Sequence, residues 1–189
     1  MKAEFAVMGK ALSSSFPQLC KFEAMDRIAV FAGSFDPFTV AHLALVKRAS
    51  AIFDRVIVVV GKNVLKHSLL TVETRMRFIE KATADLKNVT VDSHDGLTVD
   101  YMKKSGAKFL VRGIRSSVEF EAERNLAWNN QTLFPDAETV FLQIEPQFAA
   151  ISSTAVREIL HFGGDVSKMV PKEFYADLIH ETEKPSCSD

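Results

Sequence analysis

Cysteine is scarce in this chain of 189 residues, and the two that are present, Cys20 and Cys187, lie near opposite ends. They form no CxxC pair and no zinc-ligand spacing, which argues against a disulfide scaffold and favours a reducing, cytoplasmic setting. An excess of charge of one sign is also lacking, since the formal net charge is -1. A uniformly basic surface is therefore absent, and we expect no nucleic-acid partner.

Long apolar runs are missing too. No stretch approaches the ~20 residues that a membrane-spanning helix needs, so no membrane partner is expected. The usual P-loop, dinucleotide and serine-nucleophile fingerprints (GxxxxGK[ST], GxGxxG and Gly-x-Ser-x-Gly) are absent. The spacing that zinc sites use is absent around four of the five histidines, so no protein metal site is predicted. What is present is 47% hydrophobic residues, enough for the core of one domain.

The composition divides the chain into a central domain and two flanking segments. Residues 1–24 lack the apolar centre of a secretory signal and the Arg-rich bias of a transit peptide, so they are predicted to be an N-terminal extension. The domain is predicted over residues 25–180. The polar segment 181–189 is predicted to be a frayed C-terminal tail.

Apolar runs alternate with segments of helical period throughout the domain. Residues Val56–Val60 form a continuous β-branched run, as expected of a strand covered on both faces. Ser116 and Glu119 predict a capping box at the start of the fourth helix. The alternation predicts a parallel sheet with right-handed crossovers, hence a doubly wound α/β domain. The predicted strands are Ile28–Phe31, Arg55–Val60, Val89–Asp92, Phe109–Arg112 and Thr139–Gln143, and the predicted helices are Ala41–Phe53, Val72–Leu86, Thr98–Ser105, Val118–Leu133, Ser152–Phe162 and Pro171–His180.

The most informative segment runs from Ala32 to His42 and reads Ala-Gly-Ser-Phe-Asp-Pro-Phe-Thr-Val-Ala-His. It links the first strand to the first helix, so free backbone N–H groups and the positive end of the helix dipole gather there and suit phosphate. The imidazole of His42 adds a hydrogen bond or a charge; the alternative is a histidine that only packs or caps the helix. Asp36 is predicted to close the turn through its own side chain. Gly33 is predicted to let the backbone approach a ligand or to supply a positive φ.

Further candidates follow the carboxyl ends of other predicted strands, where ligands bind in doubly wound sheets. Lys66 lies in a polar loop and is a candidate phosphate clamp, with Lys62 and His67 as rivals for that role. Residues 151–154, Ile-Ser-Ser-Thr, open a helix. Their hydroxyls can be plain N-caps, or they can form an anion cradle together with the first-turn N–H groups.

The segment Arg-Gly-Ile-Arg at 112–115 is a more specific signal. Arg112 ends a buried strand, where an arginine is costly unless it is paired, and its guanidinium fork suits a phosphate. The alternative is a salt bridge to Glu119 or Glu121. Glu123 lies on the same helix face as Glu119 and can accept hydrogen bonds from a ribose or an adenine amine, although a charged helix face is usually only solvated.

Together these segments resemble the nucleotidyltransferase superfamily that carries an (H/T)xGH motif and, more narrowly, the bacterial pantetheine-phosphate adenylyltransferases. The resemblance spans about residues 27–178 and includes the Gly-Ser-Phe-Asp-Pro loop, Asp95-Gly96-Leu97 and the Arg-Gly-Ile-Arg segment. It implies a Rossmann-like nucleotidyltransferase domain with a five-stranded parallel sheet. The implied reaction is adenylyl transfer from ATP to 4'-phosphopantetheine, which gives dephospho-coenzyme A and pyrophosphate in coenzyme A biosynthesis.

Carried over by position, the resemblance implies that His42 is the catalytic residue, which stabilises the transition state and contacts ATP phosphate. It also implies that Mg²⁺ arrives with ATP, without a protein ligand that can be named, and that the protein is a homo-oligomer, typically a hexamer. The implied phosphopantetheine-binding residues are Ser34, Lys66, Thr98 and Arg112. The implied ATP-binding residues are Ser34, Phe35, His42, Gly113, Ile114, Arg115, Glu123, Phe148, Ala149, Ala150, Ile151, Ser152, Ser153 and Thr154.

Two alternatives stay open. The first is a related adenylyltransferase that acts on another phosphate such as nicotinate mononucleotide, because the Ile-Ser-Ser-Thr sequence ending at Thr154 also resembles those enzymes. They usually carry histidine where this chain has Thr39, and they lack the Arg-Gly-Ile-Arg segment, which argues against them. The second alternative is a catalytically silent nucleotide-binding module, against which the retention of His42, Lys66 and Arg112 argues.

Overall fold

The computed structural model describes residues 26–62 and 68–183. Within these ranges five strands alternate with six α-helices, as the sequence predicts. Observed bounds lie within a few residues of the predicted ones, except at the last helix. The strands are β1 Ile28–Gly33, β2 Arg55–Gly61, β3 Val89–His94, β4 Phe109–Ile114 and β5 Glu138–Gln143, and the helices are α1 Val40–Ile52, α2 Val72–Thr83, α3 Thr98–Ser105, α4 Ser117–Leu133, α5 Ser153–His161 and α6 Tyr175–Glu183.

The five strands form one parallel sheet in the order β3-β2-β1-β4-β5. The chain therefore moves outward from β1 to β3 and then returns to the other side of β1, so the strand order reverses between β1 and β4. β1 pairs with β2 along its whole length, but it pairs with β4 only at Ala29–Phe109 and Val30–Leu110. Beyond these pairs a crevice opens at the switch point, the usual ligand position in such sheets.

Apolar side chains cover both faces of the sheet and fix the helices over it. On one face, Val46 and Ala49 of α1 are fully buried, and Phe78 of α2 stacks on Phe174 with ring centroids 4.6 Å apart. On the other face, Met102 of α3 is fully buried. α4 differs from these helices because it buries none of its residues. None of the helices in the described ranges is long and apolar enough to cross a bilayer.

The last helix departs from its predicted bounds at both ends. α6 begins at Tyr175 rather than at Pro171, because Pro171 opens a turn in which its carbonyl accepts from the N–H of Phe174. α6 then continues to Glu183, three residues into the segment predicted to fray. An ion pair of 3.0 Å between Arg77 of α2 and Glu181 ties this end of the helix to the domain.

Candidate active site

A cavity of about 270 Å³ opens at the carboxyl end of the sheet, between β1 and β4. Residues from the β1–α1 loop, β4, α4 and α5 contribute to its lining, so segments far apart in sequence meet at one edge of the sheet. The structure brings together in this cavity the predicted site residues Ser34, Phe35, His42, Arg112, Gly113, Arg115, Glu123 and Ser153.

Asp36 holds the β1–α1 loop through contacts that lie far away in sequence. Its buried carboxylate accepts hydrogen bonds from the backbone N–H groups of Leu69 and Leu70, at 2.8 and 2.9 Å. The expectation that this side chain closes its own turn is therefore wrong. The carboxylate satisfies two N–H groups just ahead of α2 instead, and it thereby ties the loop to that segment.

Two arginines that the sequence did not single out hold the same loop. Arg75, which is 2% exposed, donates from Nη1 to the carbonyl oxygen of Ser34 at 2.6 Å. Arg157 of α5 donates from Nη1 to the carbonyl oxygen of Asp36, also at 2.6 Å. A signal for Arg75 exists in the sequence, because it lies one turn before the buried Phe78. An arginine on the apolar face of a helix requires a specific partner.

Phe35, and not Gly33, adopts the left-handed backbone conformation in this loop, with φ of 47°. A bulky residue rarely adopts this conformation, and burial of its ring offsets the strain. The Phe35 ring is 3% exposed and packs against Phe31 and Phe38, with centroids 5.2 and 5.6 Å apart. The positive φ predicted as one alternative for Gly33 is therefore wrong. A Cβ there would lie 2.9 Å from the Phe35 ring. Gly33 also lines the cavity, and the other alternative, close approach of its backbone to a ligand, stays a prediction.

His42 lies in the first turn of α1, and its ring takes part in a capping box with Thr39. The backbone N–H of Thr39 donates to Nδ1 of His42 at 3.1 Å, and Oγ1 of Thr39 accepts from the His42 N–H at 3.4 Å. Because Nδ1 accepts a hydrogen bond, the neutral ring carries its proton on Nε2. The capping role offered as an alternative is therefore real, and it also selects the tautomer in which Nε2 is a donor.

The surroundings of His42 keep its ring uncharged. Burial, followed by the positive charges of Arg115 and Arg112, lowers the pKa of His42 from 6.5 to about 3. The rings of Phe35 and Phe38 lie with centroids 5.2 and 5.5 Å from the imidazole. Of the two contributions that the sequence allowed, a hydrogen bond or a charge, the structure at neutral pH supports the hydrogen bond.

Arg112 extends from β4 to the boundary of the cavity, where three of its nitrogen atoms donate hydrogen bonds. Nε and Nη2 donate to the two carboxylate oxygens of Glu123 at 2.7 and 2.6 Å, and Nη1 donates to the carbonyl oxygen of Ala32 at 2.9 Å. The salt bridge offered as an alternative is therefore present, but its partner is Glu123 rather than Glu119 or Glu121. Glu123 lies one turn beyond Glu119 on the face of α4 that covers the end of β4.

Arg115 forms a second arginine–glutamate pair one turn earlier on α4. Its Nη1 and its backbone N–H donate to the carboxylate of Glu119 at 2.9 and 2.8 Å, and its Nη2 donates to the carbonyl oxygen of Ile151 at 3.2 Å. Ser116 caps α4 by accepting from the N–H of Glu119 at 3.2 Å. Only this half of the predicted capping box forms, because the carboxylate of Glu119 bonds to Arg115 instead of the Ser116 backbone.

A smaller cavity of about 150 Å³ adjoins the first one. Ala32, Arg112 and Glu123 line both cavities, so the Arg112–Glu123 pair lies at their common boundary. Of the residues predicted to bind phosphopantetheine, Arg112 and Thr98 are found here, whereas Ser34 lines the larger cavity. The remaining lining of the smaller cavity mixes apolar and amide or hydroxyl side chains, namely Thr98, Leu110, Leu126, Ala127, Asn130 and Thr139.

The other predicted site residues are not part of either lining. Lys66 and its rival His67 lie outside the described residues. Ile114 lines a separate groove beside α4, and Thr154 lines another on α5. Residues 148–150 end a short 3-10 helix and continue into the turn after it, and Ser152 caps α5. Among residues 26–62 and 68–183, no three His, Cys, Asp or Glu side chains are grouped as metal ligands.

A doubly wound sheet with a phosphate-suited loop at its switch point is typical of nucleotide-binding enzymes. Residues 30–159 match the family model described as cytidylyltransferase-like. A crystal structure of a Vibrio parahaemolyticus protein, described as a candidate nicotinate-nucleotide adenylyltransferase, has the same fold, with a TM-score of 0.61. It is 18% identical and covers 84% of this chain and 97% of its own. The class is therefore an α/β domain of the nucleotidyltransferase type.

Relatives with higher sequence identity narrow this class. A phosphopantetheine adenylyltransferase of Levilactobacillus brevis is 50% identical over 144 residues, which cover 76% of this chain and 89% of that protein. One of Rubrobacter xylanophilus is 48% identical over 144 residues, or 76% of this chain and 88% of that protein. One of Synechocystis is 44% identical over 158 residues, or 84% of this chain and 99% of that protein. The chain belongs to the phosphopantetheine adenylyltransferase family.

Proposed function

We propose that this protein transfers the adenylyl group of ATP to 4'-phosphopantetheine and releases dephospho-coenzyme A and pyrophosphate. The observation that carries the proposal is the pair of adjoining cavities at the switch point, with Arg112 at their boundary and His42 in the larger one. The larger cavity suits the phosphates of ATP. The smaller one, with its mixed apolar and amide lining, suits the pantetheine arm. Family membership supports both substrates.

The reaction requires no covalent bond to the protein. A phosphate oxygen of phosphopantetheine attacks the α-phosphorus of ATP, a P–O bond forms, the bond from the α-phosphorus to the α,β-bridging oxygen breaks, and pyrophosphate leaves with the electron pair. Positioning and charge stabilisation can supply the catalysis. We assign to His42 a hydrogen bond from Nε2–H to an oxygen of the transferring phosphoryl group, and to Arg112 and Arg115 the compensation of phosphate charge.

We further propose that Mg²⁺ enters with ATP and is held by phosphate oxygens and water, where it neutralises phosphate charge. Glu119, a carboxylate that lines the larger cavity, fits this arrangement because it is paired with Arg115. No direct protein ligand is assigned. The proposed setting is the cytoplasm, based on the cysteine usage of the chain and on the biosynthetic reaction.

A homo-oligomer, and specifically the hexamer that the resemblance implies, is the proposed assembly. α4 spans 17 residues and buries none of them, and Leu126, Trp128 and Leu133 are 51%, 56% and 51% exposed. Large apolar side chains grouped on one exposed helix are typical of protein–protein contacts. Light scattering should give the mass of six chains, and Leu126→Lys should produce smaller species. A monomeric wild type would contradict this part of the proposal.

The activity is tested by following pyrophosphate when the protein is incubated with ATP, Mg²⁺ and one acceptor at a time. Release is expected with phosphopantetheine, together with a product of the mass of dephospho-coenzyme A. Release with nicotinate mononucleotide alone would identify the related adenylyltransferase. Release with neither acceptor would favour a silent nucleotide-binding module. Both of the latter results would overturn the proposal.

The role of His42 is tested by His42→Ala. Loss of one preorganised hydrogen-bond donor to a developing charge lowers kcat by roughly 100- to 1000-fold. The KM values for both substrates should change little, because the bond is strongest in the transition state. His180→Ala, at an exposed position of α6, is the matched control and should retain normal turnover. An unchanged kcat in His42→Ala would remove His42 from the mechanism.

A further inference from the structure

We propose that the Arg112–Glu123 ion pair couples the binding of the two substrates by exchanging partners. In this exchange the phosphate of the acceptor takes over Arg112, and the released carboxylate of Glu123 becomes an acceptor for hydroxyl groups of the nucleotide. The inference rests on the proposed function, and it adds a thermodynamic link between the two cavities that the proposed reaction does not itself require.

The position of the pair is the first observation. Arg112 and Glu123 line both the cavity of about 270 Å³ and the cavity of about 150 Å³, so each side chain borders both spaces. Their side chains are 30% and 18% exposed, which leaves them accessible to a ligand. A ligand that enters one cavity therefore contacts a member of an ion pair whose other member also lines the second cavity.

The hydrogen bonds of the pair are the second observation. Glu123 occupies the Nε and Nη2 edge of Arg112 with both of its oxygens, at 2.7 and 2.6 Å. Nη1 is bonded to the carbonyl oxygen of Ala32 at 2.9 Å. The edge of the guanidinium that best suits a bidentate phosphate contact is thus filled by a carboxylate.

Electrostatics decide what happens when a phosphate arrives. One guanidinium cannot neutralise both a carboxylate and a phosphate dianion, and the two anions repel each other across it. The dianion carries the larger charge and is favoured as the partner of Arg112. Glu123 is then left as an unpaired carboxylate at the boundary of the larger cavity, where vicinal hydroxyl groups of a ribose supply the hydrogen bonds that it has lost.

Reciprocity follows from this exchange. If binding of the acceptor frees Glu123 and so raises the affinity for the nucleotide, then binding of the nucleotide must raise the affinity for the acceptor by the same factor. Each ligand should therefore tighten the binding of the other by a factor within the range of roughly 5- to 150-fold that such couplings usually show. An ion pair that serves only to stabilise the fold produces no such factor.

The test is calorimetric titration of the full-length protein with phosphopantetheine, with and without saturating α,β-methylene-ATP, which cannot transfer its adenylyl group. In the wild type, the analogue should lower the Kd of phosphopantetheine at least about fivefold. In Glu123→Gln, phosphopantetheine alone should bind several-fold tighter than to the wild type, and the analogue should no longer change its Kd. Glu121→Gln removes the same charge from an exposed position two residues earlier on α4, and it should behave as the wild type.

An unchanged coupling factor in Glu123→Gln, or weaker binding of phosphopantetheine alone, would overturn the exchange. A second measurement uses the wild type only: the NMR signal of the Arg112 Nε–H, assigned with Arg112→Lys, should shift when phosphopantetheine binds. A signal that does not move while the ligand is bound would also overturn the exchange. Failure of the proposed function is distinguishable, because it would appear as absent pyrophosphate release in the wild type.

Discussion

Replacing His42 by glutamine should change how the free energy of unfolding depends on pH. In the folded protein, burial and the charges of Arg115 and Arg112 lower the pKa of His42 from 6.5 to about 3. Between these two pH values the unfolded chain binds a proton that the folded protein does not. Stability therefore falls as the pH drops below 6.5, and the loss is complete near pH 3.

The size of this effect follows from the shift. One pKa unit corresponds to about 1.4 kcal/mol, so the whole shift corresponds to about 5 kcal/mol near pH 3. Between pH 7 and pH 5 the loss from this group alone is about 2 kcal/mol. Glutamine keeps a donor on a similar side chain but cannot titrate, so the variant lacks this loss.

Urea unfolding at pH 7 and pH 5, at one fixed protein concentration, measures the difference. The wild type should lose about 2 kcal/mol more than His42→Gln over this interval. The other histidines are common to both proteins, so their contributions cancel in the comparison. Equal losses in the two proteins would refute the argument, and so would an NMR titration in which the His42 ring protonates near its ordinary pKa.

Three further substitutions test other parts of the site. Gly113→Ala should lower the free energy of unfolding by about 1–3 kcal/mol, because its Cβ would lie 2.5 Å from Cδ1 of the buried Leu45. Adding Leu45→Val to the same chain should recover part of this loss. Urea unfolding measures both changes, and no loss in Gly113→Ala would contradict the clash. Asp36→Ala removes two hydrogen bonds to the segment before α2 and should lower the free energy of unfolding by about 3 kcal/mol. The backbone amides of Leu69 and Leu70 should then exchange hydrogen faster. Exchange at the wild-type rate would contradict the role given to Asp36. Arg112→Ala should mainly raise the KM for phosphopantetheine in steady-state assays, and a normal KM for that substrate would contradict its assigned role.

The parts of the fold that sequence predicts well are those that local patterns determine. The β-branched run of β2 is unambiguous because a strand covered on both faces tolerates almost no polar residue. The predicted start of α1 at Ala41 lies one residue from the observed start at Val40, although the capping box between Thr39 and His42 was not predicted. The position of His42 at the switch point then follows from the order of the strands.

Contacts between distant segments are what the sequence could not supply. Whether Arg112 meets Glu119, Glu121 or Glu123 depends on how α4 is rotated over the end of β4, and a shift of one or two residues changes the partner. The partners of Asp36 lie 33 and 34 residues away, in a segment without a motif. The positive φ of Phe35 is predictable only once its ring is known to be buried.

The most direct test of the account is a crystal structure of the protein with both phosphopantetheine and α,β-methylene-ATP bound. We expect the α-phosphate within hydrogen-bond distance of Nε2 of His42 and the acceptor phosphate on the guanidinium of Arg112, with the two phosphate groups adjacent at the boundary of the two cavities. Either ligand bound elsewhere, or an imidazole that faces away from the phosphates, would contradict it.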